Sequence, residues 1–463
     1  MLRLYNEQPD LWEATLPPEL RGLPPELAAM DEILKDETFL APFEEALNQK
    51  VKEDVFSWFE GRPSTFMSSY VRLMVLKFRR RWSYEDLLMS VNESVFLRRF
   101  CGYSISDRLP HDTTLIKLTG RLGEDFVKKL NEAVVEEAQE RKITRGRRMR
   151  LDTTATGANI CYPTDTGLLG DGIRVIGRLV KKIKKTGQAK AVTYRNRWNN
   201  AKNILRKLGQ NLKTRGRAAA KSSARKAKEK LVGMAKSVHR QANKVHGKIK
   251  GAKDKFTQKL AQSLALYLAL LQRIIEQSEK VLAGQTHLPD RLVSIFDPQA
   301  RPIQRGKLFP KTEFGYKALF QESEGGIISG YDVFIGNPSD TGLLENAVDT
   351  HRDRFGHYPD ELATDRGFRD QETNDRLLKH IDRISIPARG YNKDPAQKSR
   401  QKTKWFRRLQ RWRAGGEATG SLLKRCYGWG RSRVRGLKKT TAWIGYGALA
   451  FNLWRIARHM NSS

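Results

Sequence analysis

Three carboxylates in this sequence have the setting needed to hold a divalent metal: Asp152, Asp365 and Glu417. Asp152 ends the short apolar start of Met149-Arg-Leu-Asp-Thr-Thr-Ala-Thr156, a run rich in β-branched residues that reads as a strand. Asp365 ends Glu361-Leu-Ala-Thr-Asp365, a short buried strand by pattern, and turn-prone sequence follows. A carboxylate at a strand end projects from the sheet edge, where a metal can reach it. The same placement also suits an Asx turn or a helix cap, and for either aspartate alone that plainer role stays open. Glu417 is the only side-chain carboxylate after Asp394, and Arg407, Arg408, Arg411, Arg413, Lys424 and Arg425 surround it. A salt bridge on a solvated helix face would account for it. Yet a surface built for phosphate is weakened by an acid, unless that acid holds a metal.

Paired divalent ions need two or three hard oxygen ligands, which Asp and Glu supply. Two such ions can activate an attacking hydroxyl and stabilise the leaving oxygen of an in-line phosphodiester displacement. On a helix, Glu417 lies about 40° around the axis from Arg413, and Lys424 about 20° from it, so the three share a face. Gly420 falls on the same stripe, where a missing side chain would let a DNA backbone approach, and Leu422 points toward a core. Each glycine of Gly415-Gly416 costs about 1 kcal/mol in a helix interior. The helix could therefore start there and leave Arg413 on the preceding loop.

Composition says what such a site would act on. The chain has 463 residues, 39% of them hydrophobic, enough for two or three domains with folded cores. Its net charge of +35 calls for a polyanionic partner. Charge is blocked: Arg174 to Lys250 holds 25 Lys or Arg against one acid, Glu229. Pro395 to Lys439 holds 15 against Glu417 alone. Met1 to Asp10 has no basic and apolar leader, and the apolar run Ala442 to Ile456 is broken by Asn452 and Arg455, so no membrane partner is expected. Cys101, Cys161 and Cys426 are too scattered for a zinc site or a disulfide framework, which fits a reducing cytoplasm.

The elements that must position the carboxylates can be read coarsely. The first 145 residues are helical by pattern, with apolar residues at helical spacing over Ser64 to Arg80 and a capping box at Ser83-Tyr-Glu-Asp86. Ser94 and Asp112 are placed to cap two further helices. Such a domain could bind DNA or serve dimerisation and packing. A helical block follows from about Gly172 to Gly284, whose second half has an apolar stripe at Leu264, Leu268, Leu271 and Ile275. The low apolar content of its first half leaves partial disorder open. Strands resume as an antiparallel pair, Arg291 to Ile303 with Thr312 to Gln321, then Gly326 to Gly336. A helix at Leu343 to Phe355, the Asp365 strand and a strand at Ile381 to Ile386 complete a mixed α/β sheet with one long helical insertion.

In order, these motifs resemble bacterial insertion-sequence transposases with an RNase H-like DDE domain. Leu151-Asp152-Thr-Thr looks like the family's first aspartate motif and Ala363-Thr-Asp365-Arg-Gly-Phe like its second. Phe314-Gly-Tyr-Lys317 resembles the strand between them, and Arg413-x3-Glu417-x6-Lys424 is similar to the signature Tyr-x2-Arg-x3-Glu-x6-Lys. Gln410 stands where that signature has Tyr. Arg431-Ser-Arg-Val-Arg-Gly436 and the apolar helix with Asn452-Leu-x-Arg455 look like the family's C-terminus. Cys161-Tyr-Pro-Thr-Asp165 with Leu168-Leu-Gly-Asp-Gly172 is similar to one subgroup.

The resemblance implies a helical N-terminal domain (1–145) and an RNase H-like α/β core in two parts (146–173 and 287–440). It further implies a basic helical insertion (174–286) and a closing apolar helix (441–463). Asp152, Asp365 and Glu417 would be catalytic and hold two Mg²⁺ ions, while Arg413, Lys424, Arg425, Arg431, Arg433 and Lys317 would contact DNA. The implied activity is cleavage at transposon ends and strand transfer into target DNA by a homodimer at the bacterial nucleoid. The insertion would grip DNA or mediate dimerisation. Two other readings remain: a non-catalytic DNA-binding descendant of a transposase, and an RNase H-like nuclease that cuts without joining.

Overall fold

The computed structural model describes residues 16–35, 66–214, 217–285, 287–304, 312–388 and 395–462. It divides into two compact units, residues 1–157 with 316–463, and residues 158–315.

The first unit begins with helices α1 (Pro18–Arg21), α2 (Pro25–Lys35), α3 (Met67–Arg80), α4 (Tyr84–Glu93), α5 (Val95–Phe100) and α6 (Asp112–Glu140). Local sequence sets several of these boundaries. Ser83 and Asp86 form the expected reciprocal capping box, and Ser94 accepts from Leu97 N to open α5. At α6 the cap is His111, one residue before the expected Asp112, which becomes the first helical residue and accepts from Thr113 N at 2.6 Å. Gly123 kinks α6 with a φ of 75°, a conformation that suits glycine. Ser64 lies outside the described residues, and α3 starts at Met67.

These helices bury their apolar faces against the last one, α15 (Leu437–Met460), rather than against one another alone. Tyr70, Leu73, Val127 and Leu130 join Tyr446, Leu449 and Phe451 in one core. Tyr70 and Tyr446 share a hydroxyl hydrogen bond of 2.8 Å. Asn131 Nδ2 donates to Gly445 O at 3.0 Å. Asn452 uses its whole amide on the backbone of Ile328, donating and accepting at 2.8 Å, which satisfies a buried side chain and a strand end together.

The sheet of this unit contains β1 (Arg148–Gly157), β3 (Thr312–Glu322), β4 (Ile328–Ile335), β5 (Glu361–Ala363) and β6 (Arg383–Ser385), in the order β4-β3-β1-β5-β6. β4 is antiparallel to β3, whereas β5 is parallel to both β1 and β6. Alternation across the pleat sends Met149 and Leu151 to one face. There they meet Leu344 and Val348 of α11 (Leu344–Phe355), with Leu362 and Ile384 beside them. A short helix, α12 (Gln371–Leu377), lies between β5 and β6 in sequence. The other face takes α14 (Lys404–Cys426), which follows α13 (Pro395–Lys402). This mixed sheet with helices on both faces is RNase H-like.

The second unit is mostly helical: α7 (Asp165–Lys185), α8 (Trp198–Thr214), α9 (Arg217–Ile249) and α10 (Lys255–Leu282). Along α9, Leu231, Ala235, Val238, Ala242, Val245 and Ile249 repeat at alternating steps of four and three and are buried. Small residues on one stripe thus suffice to pack a strongly basic helix. The stripe of α10, Leu264, Leu268, Leu271 and Ile275, completes this core with Ile173, Ile176 and Val180 of α7. Asp165, nearly fully buried, pairs with Lys228 and Arg291 at 2.7 Å each, fastening the start of α7 to α9 and to the chain beyond α10. β2 is shorter than the expected Arg291–Ile303 strand. Only Arg301–Gln304 pairs with the start of β3, because Leu292 is held instead by the Gln277 side chain of α10. The unit spans residues 158–315, wider than the expected 174–286, since the apolar residues of α7 from Leu168 onward belong to its core.

Candidate active site on β1, β5 and α14

Parallel pairing of β1 with β5 brings the two aspartate-bearing segments side by side. The ladder matches Arg148 with Glu361, Met149 with Leu362 and Arg150 with Ala363. Asp152 and Asp365 each follow the last paired residues, Arg150 and Ala363, by two positions. Asp152 stands at the fifth position of a ten-residue strand rather than at its end, half-buried, and one of its oxygens accepts from Thr153 N at 2.7 Å. Asp365 lies just past β5, also half-buried, and its Oδ1 accepts from Gly367 N at 2.8 Å to cap the turn Arg366–Phe368. That capping role was the plainer reading of the sequence, and one oxygen of Asp365 performs it.

α14 is fixed over this part of the sheet by a buried ion pair. Arg150 projects from β1 to the α14 face, and Asp152, two residues on, shares that face. The Arg150 guanidinium pairs with Glu322 of β3, donates to Trp412 O and lies 4.8 Å from the Trp412 ring centroid. Glu322 is fully buried and also accepts from Thr419 Oγ1 at 3.3 Å. Burial pushes its carboxyl above the usual range, against the pull of Arg150 and Thr419. Gly415 and Gly416 make room for the arginine: a Cβ at Gly415 would stand 2.9 Å from Arg150 Nη1, and one at Gly416 3.3 Å from Nε. The glycine pair therefore does not start the helix. α14 runs unbroken through it and carries Arg413 within the helix. Gly420, expected under a DNA backbone, faces the sheet instead, where a Cβ would meet the Phe320 ring at 3.4 Å.

Gln410 ties the same helix to the strand ends next to Asp365. Its amide donates to Ser385 O at 2.7 Å, Ser385 Oγ at 3.0 Å and Thr364 O at 3.3 Å. Sequence reading marked this residue only as a departure from a signature; its bonds across the chain left no local trace.

Glu417 is exposed and bonded to Arg413 Nη2 at 2.9 Å across one helical turn. In this conformation it makes the salt bridge that a solvated helix face would provide. Among the described residues, no three His, Cys, Asp or Glu side chains stand close enough to hold one metal ion. The expected convergence of Asp152, Asp365 and Glu417 is thus not closed here: each aspartate lies two residues past the last β1–β5 pair, and Arg413 retains the glutamate.

The expected DNA-contacting cations divide into two groups. Arg425 is exposed on α14 and donates to Ser421 Oγ. Arg431 and Arg433 are exposed on the following loop, which is tied to the end of β1 by Gly157 N donating to Gly430 O at 3.1 Å and Ser432 N to Gly157 O at 2.9 Å. Lys424 is half-buried. Lys317 differs from all of these. Its side chain is only 7% exposed, and its ammonium donates to Pro338 O and pairs with Asp340 Oδ1, both at 2.6 Å. It is not displayed at the surface. Asp340, which the sequence analysis did not single out, approaches Gly367 on the same side as Asp365. A Cβ on Gly367 would lie 2.9 Å from Asp365 Oδ1 and 3.0 Å from Asp340 Oδ2.

Comparison with known proteins supplies the family. Residues 26–121 match the model described as Transposase domain (DUF772), which covers α2 through the first part of α6. Residues 371–457 match the Transposase DDE domain, a stretch holding Gln410, Arg413, Glu417, Lys424, Arg425, Arg431 and Arg433. No curated protein and no solved structure matches the chain. With a transposase domain matched in its N-terminal helices and a transposase DDE domain matched from α12 into α15, on an RNase H-like sheet, the chain is similar to the DDE transposases of insertion sequences.

Proposed function

We propose that this transposase binds the ends of its own element, cleaves DNA there and transfers the strands to a target, using Asp152, Asp365 and Glu417 as metal ligands. The observation that supports this reading is the β1–β5 pairing, which ends at Arg150 and Ala363, two residues before each aspartate, on a sheet beneath the helix that bears Glu417. Three carboxylates form a hard-oxygen donor set suited to Mg²⁺. Two bound Mg²⁺ ions would activate the attacking hydroxyl and stabilise the leaving oxygen.

The chain's own residues do the positioning. Gln410 and the Arg150–Glu322 pair hold α14 over the strand ends. Arg413 keeps Glu417 aside until a DNA phosphate competes for its guanidinium, which would free the glutamate to turn toward the aspartates. Arg425, Arg431 and Arg433 would hold the phosphate backbone in register, and the basic helical unit would grip the flanking duplex. Joining two ends in concert calls for a homodimer, working at the bacterial nucleoid. No helix among the described residues is long and apolar enough to cross a membrane.

The test uses duplexes made from the inverted repeats flanking the coding region. Asp152→Asn, Asp365→Asn and Glu417→Gln should each abolish Mg²⁺-dependent cleavage while binding stays within about threefold of wild type. Wild-type cleavage by any one of them removes that residue from the ligand set. Pre-cut ends should be joined to a target plasmid; cleavage without joining would make the protein a nuclease instead.

A further inference from the structure

We propose that Lys317 and Asp340 form a positioning pair for Asp365, and that Lys317 acts inside the fold rather than on DNA. The inference rests on the proposed role of Asp365 as a metal ligand. Burying an ammonium is costly unless it is paired and hydrogen-bonded. Lys317 meets both conditions with Asp340 Oδ1 and Pro338 O, so its place on β3 dictates where the Pro338–Asp340 loop can lie. That loop leads into the turn Thr341–Leu343, which packs on the turn Arg366–Phe368 capped by Asp365.

Gly367 records how tightly the two turns meet. The Asp365 and Asp340 carboxylates both close on the side of Gly367 where a side chain would begin. Asp340 Oδ2 therefore shares the Cβ side of Gly367 with Asp365 Oδ1, which Gly367 N holds, and the space left to Asp365 on that side is limited. Two carboxylates this near repel each other, and the Lys317 ammonium on the far oxygen of Asp340 offsets that repulsion. The sequence resemblance gave Lys317 to DNA; the geometry gives it to the second aspartate. A Lys placed to contact phosphate would have to leave a buried ion pair.

The experiment compares Lys317→Met, Asp340→Asn and the double variant in the full-length protein, with Asp365→Asn alongside. Binding to an end duplex is measured over a range of salt, Mn²⁺ binding is measured without DNA, and cleavage is measured in Mg²⁺. Lys317→Met should weaken Mn²⁺ binding and lower the cleavage rate by tenfold or more. Its log K against log salt slope should equal that of wild type. The double variant, with no unpaired charge left, should bind Mn²⁺ within about threefold of Asp340→Asn. A salt slope shallower by about 0.9, the contribution of one phosphate contact, would overturn the proposal and return Lys317 to the DNA. So would a double variant whose loss is the sum of the two single losses, as for residues that act independently. If Asp365→Asn itself still cleaves and binds Mn²⁺ normally, the ligand assignment fails and the pair's role with it, a result distinct from either of the others.

Discussion

Arg150 of β1 passes under α14 at Gly416, where a Cβ would lie 3.3 Å from the arginine Nε. The crossing lets a charged side chain reach Glu322 between helix and sheet, and it makes the helix dependent on a buried ion pair. Replacing one partner of such a pair leaves the other buried and uncompensated, at a cost of about 3–5 kcal/mol. Arg150→Met should therefore destabilise strongly, and in a pH-dependent way. Glu322 has a folded pKa raised by burial, so the native state holds its proton more tightly than the unfolded chain. Stability from this group is lost as pH rises from the ordinary glutamate value through the folded one. Without Arg150 the folded value rises further, so the variant's deficit should be small in acid and largest at pH 8. Urea melts of both proteins at pH 4.5 and 8 measure this; equal deficits would show that Glu322 is not the group left stranded.

Gln410→Ala should cost about 1–3 kcal/mol, since Thr364 O loses the amide donor and Ser385 O is left with the Thr364 N–H alone, both in a buried place. Cleavage should fall by more than DNA affinity does, because the lost bonds fix α14 beside Asp365 rather than at the surface. Parallel measurement of cleavage rate and Kd decides it, and an equal loss in both would place Gln410 at the DNA.

Asp165 anchors the helical unit. Asp165→Asn removes the charge shared by Lys228 and Arg291 and should destabilise that unit by about 2 kcal/mol, as for other charge-assisted hydrogen bonds. Hydrogen exchange should rise across α7 and α9 while β1 and β5 stay protected. Uniform exposure of the whole chain would mean that the two units unfold together.

The basic unit should carry much of the salt-sensitive affinity. Lys221, Lys226, Lys230, Arg240, Lys244 and Lys248 are exposed along α9. Changing all six to Gln should flatten the slope of log K against log salt by up to about five units if each meets a phosphate. A slope equal to wild type would assign the helices to protein contacts.

What was legible in the sequence was local. The Ser83 and Ser94 caps depend on residues three positions away, and both formed as expected. The α10 stripe was legible because helical periodicity is a property of neighbours. The β1–β5 register, the arginine crossing at Gly416 and the placement of Lys317 join residues far apart in sequence, and spacing alone carries no record of them. Gly420 was misread for that reason: its stripe on the helix was right, but the surface it met was Phe320. The Asp112 cap failed on a finer scale, because His111 was placed to serve just as well.

The hydroxyl bond from Tyr70 to Tyr446 spans 376 residues. At the usual pace of synthesis, about 5–20 residues per second, the apolar face of α3 waits roughly 20–75 s on the ribosome for the helix that covers it. Until then the amino-terminal helices are a client for chaperones and proteases rather than a finished domain. A message broken before α15 would accordingly leave no stable fragment to compete with the intact protein for DNA.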